Sequence, residues 1–317
     1  GISWRGLDRE WCAEQVSALV DMELGSKKGN VLGSSKRYLY LSKKLKRTVT
    51  KAIILISRHI EAGSFEPAGY EVEFSDTGRY PPITIELPSG ECIKMTGRID
   101  RIDTMTDESG TYLRIIDYKS GNKALKLQDV YYGLQLQLVT YMDAVRGMEG
   151  TNDDLSAGQV KAQGTAVSGE RNSEVENPVN LNEEKPDTEK SGVIIPAGIL
   201  YFRLDDPLIR CDRNSTSEEI EKAILKELRM KGLVLADVRL VKEMDKNMEG
   251  DSLIIPARIN KDGTLGRSSA ATREQFEVLR KYIRKILASI GNEILDGNVI
   301  IRPYKKKSIT ACTYCSF

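Results

Sequence analysis

The sequence predicts an α/β fold, a central mixed β-sheet flanked by helices, and three patterns predict it. Short apolar runs at 70–75, 83–87, 92–105 and 112–118 are separated by turn formers such as Pro88-Ser89-Gly90 and Asp107-Glu108-Ser109-Gly110. Other stretches repeat their apolar residues at helical spacing. A further run, Ile199-Leu200-Tyr201-Phe202, follows a long polar stretch and reads as one more buried strand of the same sheet. The chain has 317 residues, 40% of them hydrophobic, enough for a sizeable core in one large domain or two.

Taken in order, Asp8–Leu24 reads as an amphipathic helix with Trp11, Val16, Leu19 and Val20. A longer helix is expected from about Ser34 to Glu61, basic in its first half through Lys36, Arg37, Lys43, Lys44, Lys46, Arg47 and Lys51. A solvated helix face explains most of those charges, and a track for a phosphate backbone is the sharper alternative. The hairpin strands follow, then Val130–Arg146 as a helix with Leu134, Leu138, Tyr141, Met142 and Val145 at helical spacing. Gly150–Ser191 is rich in Glu, Asn, Asp, Gly, Ser and Lys, lacks aromatics and has no apolar period. Such a stretch cannot offset its ordering entropy, so a long mobile surface insertion is expected. Thr216-Ser217-Glu218-Glu219 is a capping box opening a helix to about Met230, closed by Gly232. Leu233–Met244 and Leu253–Ile259 read as a strand-containing subregion with a turn at Asp262-Gly263. Thr272-Arg273-Glu274-Gln275 caps a last amphipathic helix that Gly297 ends. Val299–Ile301 then leads into the basic run Pro303–Lys307.

The chemistry is concentrated in the hairpin. With the turn centred between Glu108 and Ser109, Asp100 falls opposite Asp117 and Arg98 opposite Lys119. Opposed residues of an antiparallel pair share a face, and Lys119, two residues from Asp117, points the same way. Two facing carboxylates repel, and a divalent cation removes that cost. Magnesium takes carboxylate oxygens and waters, and the backbone carbonyl of Tyr118 adds another oxygen. The expected metal ligands are therefore Asp100, Asp117 and Tyr118, with Lys119 orienting a water or stabilising charge on a phosphate. A solvated face with incidental ion pairs is the bland alternative, since D-x-K alone is common. The apolar flank Leu113–Ile116 argues for a sheet edge in a cleft. Gln137 and Tyr141 are four apart, so they share a helix face that can turn toward the same point.

G-R-I-D, then I-I-D-Y-K-S, then G-L-Q-L-Q-L-V-T-Y resembles the PD-(D/E)xK nuclease superfamily, and more closely its RecB group, whose third motif is Q-x-x-x-Y. The longer run from Tyr112 to Tyr141, with P-A-G-I-L-Y-F and A-C-T-Y-C-S-F after it, is most similar to the AddB branch of that group. The resemblance covers most of Glu66–Tyr141 and Pro196–Phe317. It implies a restriction-endonuclease-like core and a Mg²⁺- or Mn²⁺-dependent deoxyribonuclease with catalytic residues Asp100, Asp117, Lys119, Gln137 and Tyr141. It also implies DNA and an AddA-like helicase–nuclease subunit as partners, in the cytoplasm, in double-strand break repair by recombination. The alternative is a catalytically silent, nuclease-like module that guides DNA or docks a subunit. The expected organisation is one nuclease domain fragment over 1–317: an N-terminal helical part at 1–65, the catalytic core at 66–149, the insertion at 150–192, and the completion of the core at 193–317.

Two features of the family pattern are incomplete. Its metal-binding histidine belongs to a helix ahead of the first strand, and the one histidine here, His59, lacks the expected surroundings, so that ligand is expected upstream of Gly1. Glu71 matches the glutamate of a P-x-G-x-E pattern, with an ordinary solvent-facing strand glutamate as the competing reading. Cys12, Cys92 and Cys211 are scattered, which argues for reduced thiols, whereas Cys312-Thr313-Tyr314-Cys315 puts two thiols within reach of one metal. By spacing, zinc, an iron–sulfur cluster and a redox pair all stay open. The resemblance implies a [4Fe–4S] cluster on Cys312 and Cys315, completed by one cysteine far upstream and one just beyond, and so incomplete in this chain.

The remaining patterns are exclusions. The net charge is +1, so any affinity for nucleic acid must come from local patches or another chain. Mean hydropathy is −0.36, no apolar run approaches membrane length, and the opening residues carry no signal-peptide pattern. A start at Gly-Ile-Ser-Trp, without an initiator Met, leads to the expectation of a segment of a longer polypeptide. No G-x-x-x-x-G-K-[S/T] is present, so any helicase motor lies on other residues or on a partner.

Overall fold

A computed structural model describes residues 3–26, 35–146, 193–306, 309–310 and 312. The insertion expected at 150–192, and Cys315, lie outside the described residues. In chain order the elements are α1 (Arg9–Ser26), α2 (Lys36–Glu61), β1 (Glu66–Phe74), β2 (Ile83–Glu86), β3 (Cys92–Met95), β4 (Gly97–Asp107), β5 (Gly110–Lys119), α3 (Leu127–Tyr131) and α4 (Gln137–Arg146). They continue as β6 (Ile194–Arg203), α5 (Ser217–Leu228), β7 (Lys231–Leu235), α6 (Val238–Met244), β8 (Ala270–Ala271), α7 (Arg273–Leu295), β9 (Lys305–Lys306) and β10 (Ile309–Thr310).

Six strands form one mixed sheet in the order β1-β4-β5-β6-β7-β8, with β2–β3 and β9–β10 as separate two-stranded ribbons. The β4–β5 hairpin has the register its turn predicts, from Asp107↔Gly110 to Arg101↔Ile116. β6 runs parallel to β5, pairing Asp117↔Tyr201 and Lys119↔Arg203, so the strand read at 199–202 belongs to the same sheet. Both strands are buried along almost their whole length, as central strands covered on two faces must be.

Two helical layers sandwich the sheet. On one face α4 lies over β5 and β6, where Met142 and Val145 close over Leu113, Ile115 and Ile194, and α7 packs outside α4. On the other face α2 brings Ala52 and Ile56 beside Tyr118, and His59 meets the Phe202 ring edge-on at 5.5 Å. Alternate residues of β5 and β6 therefore address different layers. Beneath α2 lies a buried ion cluster. Asp103 accepts from Arg101 Nε (2.5 Å) and Nη2 (2.9 Å), and from Arg114 Nε (3.1 Å) and Nη2 (2.6 Å). Three charged groups can be buried there because the single carboxylate is shared between both guanidiniums.

Several sequence expectations need correction. The helix expected over Val130–Arg146 is broken between Tyr131 and Gln137, with Gly133 at φ +76°, a conformation glycine adopts without strain. Leu233–Met244 contains one short strand and then the helix α6, started by Asp237, whose side chain accepts from Arg239 N and Leu240 N. Leu253–Ile259 carries isolated bridges and no strand. Gly232 does not close α5; it sits within β7, where a Cβ would fall 2.0 Å from the Ile199 carbonyl oxygen. Both capping boxes are present, at Thr216/Glu219 and Thr272/Gln275, and Gly297 follows α7 at φ +65°. Trp11 and Leu19 of α1 are exposed, and Val16 and Cys12 are its buried residues.

Candidate active site

The site forms where β4 and β5 part. Backbone pairing between them ends at Arg101↔Ile116, one rung short of Asp100 and Asp117. Beyond that point the Tyr118 amide donates to the side chain of Asp100, at Oδ2, 2.8 Å away. The strand edge is thus held by a carboxylate, which fixes Asp100 beside the D-x-K segment.

Asp117 forms the floor. Its side chain is 1% exposed, and the Lys119 ammonium lies 2.5 Å from Oδ2. Lys119 is the partner of Oδ2, and Oδ1 has none. Burial pushes its pKa above the usual carboxylate value; Lys119 opposes that shift and Asp100 adds to it. Lys119 Nζ also donates to Gln137 Oε1 (3.0 Å), and Gln137 Nε2 donates to Tyr141 Oη (2.8 Å). Because Gln137 and Tyr141 are one turn apart on α4, a single helix orients both over the strand pair. Tyr141 meets Phe74 edge-on at 6.0 Å, and burial raises its pKa, with Asp117, Asp100 and Glu71 adding to the rise. Asp100, Asp117, Lys119, Gln137 and Tyr141 are all brought together.

Two other residues join them. Tyr201, in register with Asp117 across β5–β6, has a buried hydroxyl without a partner, and its pKa is pushed up to about 12 by burial first and then by Asp117 and Tyr141. Lys119 and Lys123 both lie over its ring, at 5.7 Å and 5.3 Å. No local pattern could single out Tyr201, because parallel pairing across the insertion brings it in. Glu71 lies on β1 between the rungs Tyr70↔Arg101 and Val72↔Ile99, level with Asp100. It has φ +49°, which costs a side-chain-bearing residue roughly 1–3 kcal/mol. Its signal was the P-x-G-x-E pattern.

One expectation, the Arg98–Lys119 pairing, falls outside this arrangement, and two other candidates weighed in the sequence, His59 and the basic half of α2, lie apart from it. Arg98 is not paired opposite Lys119; it pairs across with Glu73 and contacts Glu71 at 3.3 Å in solvent. His59 lies against Phe202, on the face opposite Asp117, and is no ligand to this site. The basic half of α2 is also on that far face, and part of it is neutralised: Lys46 by Asp21, and Arg47 and Lys51 by Asp206.

The donor set suits a hard divalent cation in character. Two carboxylates from adjacent strands converge, one of them buried with Oδ1 unpartnered, and an amine pairs with its other oxygen. Among the described residues no group of three His, Cys, Asp or Glu side chains converges as a metal cage. Of the C-x-x-C pair only Cys312 is described, and it is exposed; of the other cysteines Cys12 is buried and Cys92 and Cys211 are exposed.

Comparison with known proteins agrees with this geometry. Residues 4–317 match the family model of the PD-(D/E)XK nuclease superfamily. The chain is 53% identical over 315 residues to a subunit of the ATP-dependent helicase/deoxyribonuclease of Ruminiclostridium cellulolyticum, covering 99% of this chain and 24% of that protein. It is 51% identical over 317 residues to the counterpart of the same name from Acetivibrio thermocellus, covering all of this chain and 24% of that protein. The chain thus spans about a quarter of the length of these curated relatives. No helix among the described residues is long and apolar enough to cross a membrane. A mixed sheet bearing Asp100, Asp117 and Lys119 at its parted strands, with a family match over nearly the full length, shows that this chain belongs to the PD-(D/E)XK nuclease superfamily.

Proposed function

We propose that this chain is the metal-dependent DNA nuclease domain of a bacterial AddAB-type helicase–nuclease, acting in the cytoplasm in double-strand break repair by recombination. The observation that carries the reading is the Asp117 carboxylate, buried, paired with the Lys119 ammonium 2.5 Å from Oδ2 and close enough to Asp100 to feel its charge. Two neighbouring carboxylates, one of them buried, repel each other, and a divalent cation between them offsets that cost. Asp100 and Asp117 would hold Mg²⁺ or Mn²⁺. The Tyr118 amide points to Asp100, and in an extended residue the carbonyl leaves the strand on the same side, so Tyr118 supplies a third oxygen. The bound ion would supply Lewis-acid polarisation of the phosphodiester and a more acidic water.

The side chains around it divide the remaining work. Lys119, held between Asp117 and Gln137, donates to the attacking water and to the phosphate oxygen on which charge develops. Gln137 fixes the Lys119 amine on one side and the Tyr141 hydroxyl on the other, and these two α4 residues orient the DNA backbone. Tyr201 walls the site beside Asp117 and excludes water there. Cys312 and Cys315 would be two of the ligands of a [4Fe–4S] cluster in a longer polypeptide, and an AddA-like subunit would deliver the unwound strand.

The test is Mg²⁺-dependent cleavage of single-stranded DNA by the full chain beside its Asp117→Ala variant. A loss of about a thousandfold or more is expected, the order that removing one key electrostatic group costs. Equal cleavage by both proteins would end the assignment.

A further inference from the structure

Four tyrosines meet where α3, α7 and the segment after α7 come together. Tyr131 and Tyr282 are stacked, with ring centroids 5.5 Å apart and planes 4° from parallel. Tyr132 meets Tyr131 edge-on at 5.1 Å and lies 4.8 Å from Tyr304, tilted by 35°. The Tyr282 hydroxyl donates to the Tyr131 carbonyl (2.8 Å), which fixes α3 against α7. Core packing does not explain these rings, because Tyr131 is 60% and Tyr132 49% exposed. Rigid aromatic faces half in water suit unpaired bases, since every base offers a π-face.

The surroundings have the charge such a ligand needs. Lys126 at the start of α3, Lys281 and Lys285 on α7, and Arg302 and Lys305 beside Tyr304 are exposed, and none has an ion pair among the described residues. The position is equally pointed. The α3 helix lies in the connection between Lys119 and Gln137. Tyr132 is five residues before Gln137, so their α-carbons are within about 18 Å at full extension. A strand lying on these rings is within a few nucleotides of the carboxylates.

We propose that Tyr131, Tyr132, Tyr282 and Tyr304 form a base-stacking platform for single-stranded nucleic acid that feeds the Asp100–Asp117 site. The destination of the strand rests on the nuclease reading; the stacking itself does not. The competing role for these rings is purely mechanical, pinning α3 to α7. Fluorescence anisotropy of the full chain in EDTA separates them, with labelled oligodeoxythymidylate and an abasic oligomer of equal length as probes. The platform requires the abasic probe to bind wild type about tenfold more weakly. It requires Tyr132→Ala to weaken oligodeoxythymidylate by a similar factor and to lose the distinction between probes, and Tyr132→Trp to restore it. Equal binding of both probes by wild type, or equal losses for both probes in Tyr132→Ala, would overturn it. A chain that discriminates the probes but cleaves nothing with Mg²⁺ overturns the nuclease reading alone. One that cleaves with Mg²⁺ but does not discriminate them overturns the platform alone.

Discussion

At the scale of single residues, the sheet separates two buried titratable groups with opposite tasks. Asp117 faces α4 and pairs with the Lys119 amine through Oδ2, leaving Oδ1 without a partner. His59 lies in the far layer, on α2, against Phe202, and its pKa is lowered to about 3, by burial first and then by Arg114 and Arg101. A base whose folded pKa lies below its unfolded value of 6.5 stays neutral in the fold and protonates on unfolding. Its contribution is therefore intact above about pH 6.5 and is lost as pH falls toward about 3, at about 1.4 kcal/mol per unit. Replacing it by Phe, similar in size and able to keep the edge contact, removes that dependence. Urea denaturation at pH 7, 6 and 5 checks this: wild type should lose roughly 1 kcal/mol more than His59→Phe between pH 6 and 5. Parallel stability–pH curves for the two proteins would show that His59 is not the group responsible.

At the scale of elements, what could be read in the sequence was whatever local chemistry decides. The turn Asp107–Gly110 set the hairpin register, and that register put Asp100 level with Asp117. The i, i+4 spacing of Gln137 and Tyr141 gave their common helix face, and their mutual hydrogen bond follows from it. Where two local rules conflicted, the reading failed. The run Tyr131–Leu138 has helical periodicity but contains Gly133, and the φ +76° taken there turns the chain so that α4 starts afresh at Gln137. Gly232 likewise read as a helix stop, whereas its meaning is tertiary: β7 passes so close to β6 that a side chain has no room. Nothing in 199–235 alone discloses that approach. Gly232→Ala should therefore cost about 3 kcal/mol, the upper end for overpacking, because the obstructing atom is backbone and cannot swing aside. Gly121→Ala, with nothing within 4 Å, should stay within about 0.5 kcal/mol. Chemical denaturation midpoints measure both, and equal shifts would refute the close approach of β6 and β7.

At the scale of the whole molecule, the two faces of the sheet bury charge in different ways. The back of the sheet also buries charge, yet there Asp103 is shared by Arg101 and Arg114 through four hydrogen bonds, and removing it would strand two guanidiniums. The front buries Asp117 against a single amine, that of Lys119, with Oδ1 unpartnered. The raised pKa of Asp117 means that this environment disfavours its charged form, so at neutral pH the ion-free fold is less stable than it would be with an amide there. Asp117→Asn should consequently raise the melting temperature of the chain in EDTA. Divalent ions should do the reverse to the comparison. An ion that binds only the folded chain, present at about a hundred times its Kd, adds about 2.7 kcal/mol. For a protein of this size that is a rise of roughly 5 °C or more in wild type. The Asn variant, stripped of the anionic ligand, should gain little from Mg²⁺, so the order of melting temperatures inverts between EDTA and Mg²⁺. The inversion is the discriminating result, because loss of a merely structural carboxylate would shift both conditions by the same amount. Equal Mg²⁺ increments in the two proteins would place the cation somewhere other than between β4 and β5.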